Sequence, residues 1–510
     1  MTKLEEFTAK PWHKDSNHHA YADSFLHMRP APEYASGEVV LASVYRNIGL
    51  QNVTEGNVPS LGRKFNNLLN SGKRPPKNEG STGIDPDSWR SIISGNLKSP
   101  KQPNQTAKRF LQIMPLVPDA AAYSLSARLS GNSWNPGELV NKIIEYGYSS
   151  HEEACSLRHD LFDALSVDEN DDIWARFLQQ EFQSWRLPAQ DIKWGHIGHD
   201  RSETVSQWHK NQQPCPCPAQ QFVRDLRQIL QLKTCLTRRQ WISMLESLLR
   251  LGTATHILWI CGENKRTYDL IRAAMEGNQE LLQSIKSNSA NRSYLRFGQQ
   301  AIRAIEDLAI EFIRARAGIN LLLWLLEEQN IKPPNIDFCL VNKDEIDAFI
   351  AFIYANREQI DRSSYNSLMR NAMSSNPREA AGKKGVASNI KEFLRHVLGQ
   401  RQTAEKGLDS YDQGYFLKKN GAYRSAPWIV SLGPVAVLSI VHSLAGDSST
   451  PQTVDNLCGH LAKYGIEIDA QDIPTSALGK ILRDLGLVLD SPDAEGGMVV
   501  ISPFAGNQGN

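Results

Sequence analysis

Apolar residues recur roughly every three to four positions along most of this chain, which is the period of an amphipathic helix. The pattern is strongest between 219 and 329, and it predicts helices over 219–232, 237–251, 265–287 and 299–329. Thr237 directly precedes the second of these helices and is the expected N-cap. One face of the last helix is apolar, with Ile302, Ile305, Leu308, Ala309, Phe312 and Ile313. We expect the densest hydrophobic core in this region.

Weaker helical patterns follow at 343–356, 363–373 and 388–398. Residues 425–446 contain no Asp, Glu, Lys or Arg, and the prolines and serines in this stretch favour a buried helix beginning near Pro434 over a membrane span. Short segments typical of strands occur near the C-terminus. The sequence therefore predicts a mainly α, multi-domain protein with a small α/β module at its C-terminal end.

Breaks in the helical pattern divide the chain into six predicted segments. They are an irregular N-terminal arm (1–36), a small basic helical domain (37–130), a helical segment (131–187), a linker or long loop (188–218), a helical core domain (219–425) and the α/β module (426–510). The predicted linker ends in Pro-Cys-Pro-Cys-Pro, which the interior of a helix does not tolerate. A chain of 510 residues also exceeds what one hydrophobic core usually organises.

Charge is balanced over the whole chain but unevenly distributed along it. Residues 61–110 carry ten basic residues against three acidic ones, and this surplus of seven positive charges favours binding to a phosphate backbone. The ten are Arg63, Lys64, Lys73, Arg74, Lys77, Arg90, Lys98, Lys101, Lys108 and Arg109. Residues 447–510 carry nine acidic and three basic residues, so this end would repel nucleic acid. The two regions are expected to bind different partners.

A weak repeat lies inside the basic region. Residues 65–77 and 89–101 each contain an aromatic residue, an aliphatic pair, a glycine that would end a helix, and a basic turn with proline. The second copy continues into 105–115, and the whole resembles the latter half of a phage-repressor-like helix-turn-helix. The resemblance implies contact with DNA, whereas the alternative is a pair of solvated basic turns at the surface.

The C-terminal segment is similar to a winged helix. Its pattern predicts one helix within 448–468, a second within 473–490, and strands at 487–489 and 498–501 around a wing tip at 493–497. Winged helices bind proteins as readily as DNA. Since the second helix offers only Lys480 and Arg483 beside several acids, we expect a protein-binding or structural module, with these two residues as second-choice contacts to nucleic acid.

Side chains of the types that zinc prefers are collected in the predicted linker, namely His196, His199, His209, Cys215 and Cys217. A Cys-x-Cys flanked by prolines does not match the usual spacing of a structural zinc site. The favoured interpretation is a chance collection, with no metal and no cofactor. The scattered, odd number of cysteines and the polar N-terminus favour a cytoplasmic protein.

The common motifs of nucleotide-binding, hydrolytic and zinc enzymes do not occur in this sequence. Glu392 and His396 lie one helical turn apart, and Glu392 or Glu405 followed by His442 resembles the order of residues in a helical family of the Zorya defence system, named for a signature Glu and His. That resemblance implies a role in phage defence. The alternative for these residues is a surface ion pair and a core histidine.

The sequence favours a non-enzymatic, DNA-associated subunit of a multi-protein bacterial system, such as phage defence or a mobile element. The basic region would hold the backbone of double-stranded DNA without sequence preference, and the acidic module would bind a partner protein such as an ATPase or a nuclease. Two alternatives stay open. One is a protein-interaction scaffold without nucleic acid, and the other is a cryptic nuclease or other hydrolase with a scattered active site. No membrane contact is expected.

Overall fold

The computed structural model describes most of the chain. The described residues are 2–13, 15–28, 35–75, 82–98, 113–124, 135–186, 191–198, 217–287, 293–333, 340, 343–399, 414–421, 423, 425–446, 452–489, 498–502 and 504. Helices account for most of them and the strands are short, which confirms the mainly α prediction.

The helices of the N-terminal part are arranged largely around one buried helix. They are α1 (Lys3–Ala9), α2 (His19–Ala22), α3 (Gly37–Ile48), α4 (Val58–Ser71), α5 (Pro86–Ile92), α6 (Pro118–Tyr123), α7 (Pro136–Gly147), α8 (His151–Leu165) and α9 (Ile173–Ser184). Helix α3 is buried along almost its whole length and packs against α6, α7 and α8. Helices α4 and α9 both pack on α6 and so form a second layer.

Residues 3–9 and 19–22 are helical where the sequence predicts an irregular arm. The two short helices pack against the long helix at Ile302–Glu328. Polar side chains of that long helix also form hydrogen bonds with the residues just before the second short helix. Arg316 Nε donates to Asn17 Oδ1 over 3.1 Å, and Asn320 Oδ1 accepts a 2.7 Å hydrogen bond from the backbone N–H of His18. Because these contacts join residues about 300 positions apart, no local period in the sequence could indicate them.

Residues 191–198 of the predicted linker also belong to the fold. Strand β1 (Leu50–Gln51) pairs antiparallel with β2 (Lys193–Trp194), which lies within 188–218. The Trp194 ring stacks on Phe162 of α8 with 4.9 Å between ring centroids. Residues 199–216 lie outside the described residues.

The central part consists of long helices packed side by side. They are α10 (Pro218–Gln231), α11 (Arg238–Glu276), α12 (Gln279–Ser287), α13 (Ile302–Glu328), α14 (Lys343–Asn356), α15 (Arg362–Ser375), α16 (Pro377–Ala380) and α17 (Gly385–Val397). Helix α11 begins with a capping box between Thr237 and Gln240, as the sequence predicts for Thr237, and packs along α13.

Helix α11 runs unbroken for 39 residues, whereas the sequence predicts two helices with a break near its middle. The middle is buried on all sides and therefore has no amphipathic period. Gly252 interrupts the pattern for a packing reason, because the ring of Phe222 from α10 occupies the space that a side chain would need.

The C-terminal part starts with a hairpin and a buried helix. Strand β4 (Tyr415–Lys419) pairs antiparallel with β5 (Trp428–Leu432), so the predicted boundary at 425 falls within one hairpin. Helix α18 (Pro434–Gly446) begins at Pro434 as predicted and packs on α10 and α11. Among the described residues, no helix combines the length and apolarity that crossing a membrane requires.

The last elements form a small α/β unit. They are β6 (Gln452–Thr453), α19 (Val454–Lys463), β7 (Ile466–Glu467), α20 (Ala477–Asp484), β8 (Val488–Leu489) and β9 (Val499–Val500). Strands β6, β9 and β8 form an antiparallel sheet in that order. Strand β7 instead pairs in parallel with β3 (Leu295–Arg296) of the central part. The buried apolar residues of all three parts belong to one continuous cluster, from Leu4 to Val500.

Candidate nucleic-acid interface

Helix α4 has one side inside the core and one side in solvent. Its buried side carries Val58, Leu61, Phe65 and Leu69. The Phe65 ring stacks on Tyr123 of α6 with 4.5 Å between centroids, which fixes the rotation of the helix. Arg63 and Lys64 therefore point away from the core, and both are exposed.

The end of α4 confirms the first predicted glycine stop. Gly72 adopts a left-handed conformation with φ of 68°, and its N–H donates to the carbonyl of Leu69 over 3.3 Å. A residue with a side chain is strained at such a φ, so glycine is the natural end for this helix. The chain turns here and leaves Lys73 exposed.

Arg74, the next residue, points into the fold. Its guanidinium lies 2.7 Å from the fully buried carboxylate of Glu181 in α9 and 5.4 Å above the ring of Trp185. It also donates to Ser184 Oγ over 3.2 Å and to the carbonyl of Ile84. Arg74 thus neutralises a buried acid. Its side chain is therefore not available to bind nucleic acid.

Arg90 has a similar connecting role. Its Nη2 donates to the carbonyl of Leu69 over 2.9 Å, and its Nη1 pairs with Asp87 over 2.9 Å. The first contact satisfies a carbonyl at the end of α4 and joins α4 to α5. Trp89 anchors α5 from its buried side, edge-on to Phe182 with 5.0 Å between centroids. These contacts position the basic turns.

The second predicted glycine stop is wrong. Gly95 lies within a π-helical turn, Ile93–Leu97, that continues α5, and its φ is not positive. Ile93 and Leu97 are both buried, so the wide turn keeps two apolar side chains in the core. Lys98 follows directly and is exposed.

Four of the ten predicted cations are therefore exposed, and all four lie in α4 or directly after α4 or α5; we refer to them together as the basic surface: Arg63, Lys64, Lys73 and Lys98. Within the described part of the chain, none of their side chains has an acidic partner. Lys77, Lys101, Lys108 and Arg109 lie outside the described residues. Residues 72–85 separate α4 from α5, which is longer than the roughly three to four residues of a helix-turn-helix connection.

Sequence reasoning did not select an aromatic side chain close to this region. Trp174 at the start of α9 is 37% exposed and stacks on Phe177, which in turn contacts Trp89 of α5 edge-on. Arg176 beside it is also exposed. The only sequence signal is a tryptophan off the apolar face of its helix, and that signal is weak on its own.

The two second-choice residues lie on α20. Lys480 is exposed, and Arg483 Nη1 donates to the carbonyl of Pro474 over 2.8 Å. The acids Glu467, Asp469 and Asp472 line a nearby cleft of about 210 Å³. Among the described residues, this side of the molecule therefore places several acids close to the two cations of α20.

The predicted zinc ligands are only partly described. The His196 ring packs against His159 and Phe162, and Cys217 is buried at the start of α10, where desolvation raises the pKa of its thiol to about 12. His199, His209 and Cys215 lie outside the described residues. Over the ranges that are described, no three His, Cys, Asp or Glu side chains are grouped to hold a metal ion.

The Glu and His residues of the Zorya-like order have structural contacts. Glu392 pairs with Arg395 over 3.3 Å, and Arg395 also pairs with Glu306 of α13. His442 is buried, its Nε2 donates to the carbonyl of Gln228 over 3.4 Å, and desolvation lowers the pKa of its ring. Glu405 lies outside the described residues. An interhelical ion pair and a neutral core histidine account for these contacts.

No known protein family, curated protein or solved structure matches this chain. Of the groups described above, the basic surface has the most cations whose side chains are exposed and have no ion pair with another described residue.

Proposed function

We propose that this chain is a non-enzymatic, DNA-associated subunit of a multi-protein system and that the basic surface binds the nucleic-acid backbone. The observation that carries the proposal is the contrast between the buried sides of α4 and α5 and the exposed cations in and directly after these helices. The apolar sides of α4 and α5 are fixed in the core, whereas Arg63, Lys64, Lys73 and Lys98 are exposed. Phosphate contacts from such residues release counterions and require no base-specific geometry, so we expect non-specific binding to double-stranded DNA.

The order of elements after 433 supports a winged-helix module as part of this proposal. Helix α18, strand β6, helices α19 and α20, and strands β8 and β9 occur in this order, with β7 inserted between α19 and α20, and the sheet order is β6-β9-β8. That succession is typical of a winged helix. Because its second helix carries few free cations and acids lie close by, we propose that the module binds a partner protein, such as an ATPase or a nuclease.

The proposed setting is a multi-protein bacterial system. The order of Glu392 or Glu405 followed by His442 resembles that of the Glu- and His-signature family of the Zorya defence system, and phage defence or a mobile element is the proposed setting. A scaffold that binds only proteins is the main alternative, because an exposed basic surface also attracts acidic protein surfaces.

The test is fluorescence anisotropy of labelled double- and single-stranded DNA with the purified chain, at low and at physiological salt. One variant reverses the basic surface through Arg63→Glu, Lys64→Glu, Lys73→Glu and Lys98→Glu. The matched control makes the same change in net charge at exposed residues elsewhere, through Arg239→Glu, Arg303→Glu, Arg370→Glu and Lys383→Glu. Both variants should melt like the wild type.

We expect the first variant to lose binding by about tenfold or more at low salt, and the dependence of log affinity on log salt to fall by about one for each lost phosphate contact. The control should bind like the wild type. Equal losses in the two variants would contradict the proposed surface. Binding of neither form of DNA by the wild type would leave the scaffold as the better hypothesis.

A further inference from the structure

Four chemically active side chains meet where the end of α7 faces the first turns of α8. His151, Cys155 and Arg158 are spaced by four and then three residues along α8, so they share one face of that helix. Glu145 near the end of α7 lies opposite them. Arg158 and Glu145 are buried, whereas His151 and Cys155 are only half-buried.

The hydrogen bonds of this cluster fix the roles of the two imidazole nitrogens. His151 Nδ1 lies 2.6 Å from Glu145 Oε1, and a carboxylate oxygen can only accept, so Nδ1 carries the proton. Nε2 then has a free lone pair and lies 3.3 Å from Cys155 Sγ. The thiol therefore donates its proton to His151, and Glu145 orients the ring that receives it.

Arg158 places a positive charge beside the sulfur atom. Its Nη2 donates to Cys155 Sγ over 3.2 Å, and its Nη1 donates to Glu145 Oε2 over 2.7 Å. One guanidinium thus holds both the carboxylate and the sulfur in place. Because Arg158 is only 4% exposed, water screens its charge poorly, and that charge favours the negative charge that develops on sulfur when the proton leaves.

The other described cysteines have different surroundings. Cys217, Cys261 and Cys458 have pKa values raised by desolvation, to about 12 for Cys217 and about 11 for Cys458. Cys235 is exposed, and its sulfur lies 3.9 Å from Thr234 Oγ1, with no base or cation as a partner among the described residues. Among the five cysteines that the structure describes, Cys155 alone contacts both a base and a cation.

We infer that Cys155 is an activated thiol and a site of oxidation by hydroperoxides. The sulfur attacks one peroxide oxygen, the S–O bond forms as the O–O bond breaks, and the thiol proton passes through His151 Nε2 to the leaving oxygen. Sulfur is oxidised by two electrons and the peroxide is reduced, which gives a sulfenic acid and water or an alcohol. The half-buried position suits a small oxidant. The inference does not depend on DNA binding.

The test exposes the full-length protein to hydrogen peroxide in the presence of dimedone, which traps sulfenic acid, and follows each cysteine peptide by mass spectrometry. Cys235 is the internal control for an exposed thiol without these neighbours. The buried Cys217 and Cys261 report on folding, since dimedone adducts at these residues would reveal opening of the structure. The variants are His151→Gln, which removes the base, and Glu145→Gln, which removes the carboxylate that orients the base.

We expect the adduct at Cys155 to form about tenfold faster than at Cys235 in the wild type. His151→Gln should bring the rate at Cys155 down to that of Cys235 and leave Cys235 unchanged. Glu145→Gln should act in the same direction but more weakly, because the base remains. Equal rates at the two cysteines in the wild type would overturn the inference, as would a His151→Gln variant that stays folded and reacts as fast as the wild type.

Discussion

His460 of α19 and Asp225 of α10 form a hydrogen bond inside the core, with 2.8 Å between Nε2 and Oδ2. The hydroxyl of Tyr464 donates to the same oxygen over 2.6 Å, and Gln221 Nε2 donates to Oδ1 over 2.7 Å. Burial, and then the negative charge of Asp225, raise the pKa of Tyr464 well above its ordinary value, so its hydroxyl stays protonated. Three donors from two parts of the chain thus converge on one carboxylate.

This convergence predicts that Asp225 stabilises the attachment of the C-terminal α/β unit. In Asp225→Asn the new amide group turns a donor towards His460 or Gln221, and one buried donor loses its acceptor. We expect the free energy of unfolding to fall by about 2–4 kcal/mol. Urea unfolding measures the change. Asp472→Asn, at an exposed acid of the same unit, should change it by less than about 0.5 kcal/mol. Similar losses in both variants would contradict the prediction.

Arg74 and Lys73 are neighbours in sequence with opposite environments, and this contrast gives a second prediction. Arg74→Glu would place a carboxylate beside Glu181, whose side chain is fully buried. We expect a loss of about 3–5 kcal/mol in the free energy of unfolding, because the buried acid loses its partner. Lys73→Glu changes an exposed residue and should leave the stability within about 0.5 kcal/mol of the wild type.

The two variants should also separate stability from DNA binding. Lys73→Glu is expected to weaken binding while the protein melts normally. Arg74→Glu is expected to lower the melting temperature, which calorimetry measures directly. If Arg74→Glu were as stable as the wild type, the ion pair with Glu181 would not contribute as the structure indicates.

His256 in α11 gives a prediction about pH. The ring is fully buried between Tyr146 and Trp259, and neither of its nitrogens has a hydrogen-bond partner among the described residues. Desolvation, and then the charge of Lys142, lower the pKa of this ring from 6.5 to about 3. In the unfolded chain the same ring takes up a proton near pH 6.5. The stability due to the neutral ring is therefore complete above pH 6.5 and is lost as the pH falls towards 3.

We expect His256→Phe to keep the stability at pH 7 within about 1 kcal/mol, since an apolar ring of similar shape replaces a polar one without partners. At pH 4.5 the variant should be more stable than the wild type by about 2 kcal/mol, because its unfolded state no longer takes up this proton. Urea unfolding of the variant and the wild type at pH 7 and at pH 4.5 measures these differences in the free energy of unfolding. A His256→Phe variant with an unchanged pH dependence would contradict the assignment.

Local signals in the sequence were sufficient where neighbouring residues determine the structure. The N-cap at Thr237, the start of α18 at Pro434 and the end of α4 at Gly72 each depend on a few adjacent residues. The basic surface was likewise predictable in part, because exposure follows from the amphipathic pattern of α4. The sequence-based prediction failed where the position of a side chain depends on residues that are far away in the sequence. Arg74 points inward only because Glu181 requires a partner, and that need is not visible in the basic region.

The cluster around Cys155 was missed for a related reason. Three of its members lie at helical spacing in α8, which is also common in ordinary surface helices. Its chemistry depends on Glu145, which the turn between α7 and α8 brings within 2.6 Å of His151. A sequence pattern gives the spacing within one helix, but the angle between two helices follows from their packing.

Gly137 in the first turn of α7 lies at a close approach of α7 to α3, and it gives the last prediction. A methyl group at this position would overlap the carbonyl oxygen of Ser43 and crowd the side chain of Asn47. The obstacle is backbone, so it cannot rotate away, and α7 would have to move from a helix against which it is packed. We expect Gly137→Ala to lower the free energy of unfolding by about 1–3 kcal/mol despite the better helix propensity of alanine.

Gly459 in α19 is the control, because it is also helical but, unlike the buried Gly137, it is exposed and has no atom within 4 Å of the added methyl group. Gly459→Ala should raise the free energy of unfolding by up to about 1 kcal/mol, through helix propensity alone. Urea unfolding of the two variants therefore compares the same substitution with and without a neighbouring backbone. We expect the two substitutions to change the free energy of unfolding in opposite directions. A stabilising effect at both positions would mean that α3 and α7 are not in the close contact described.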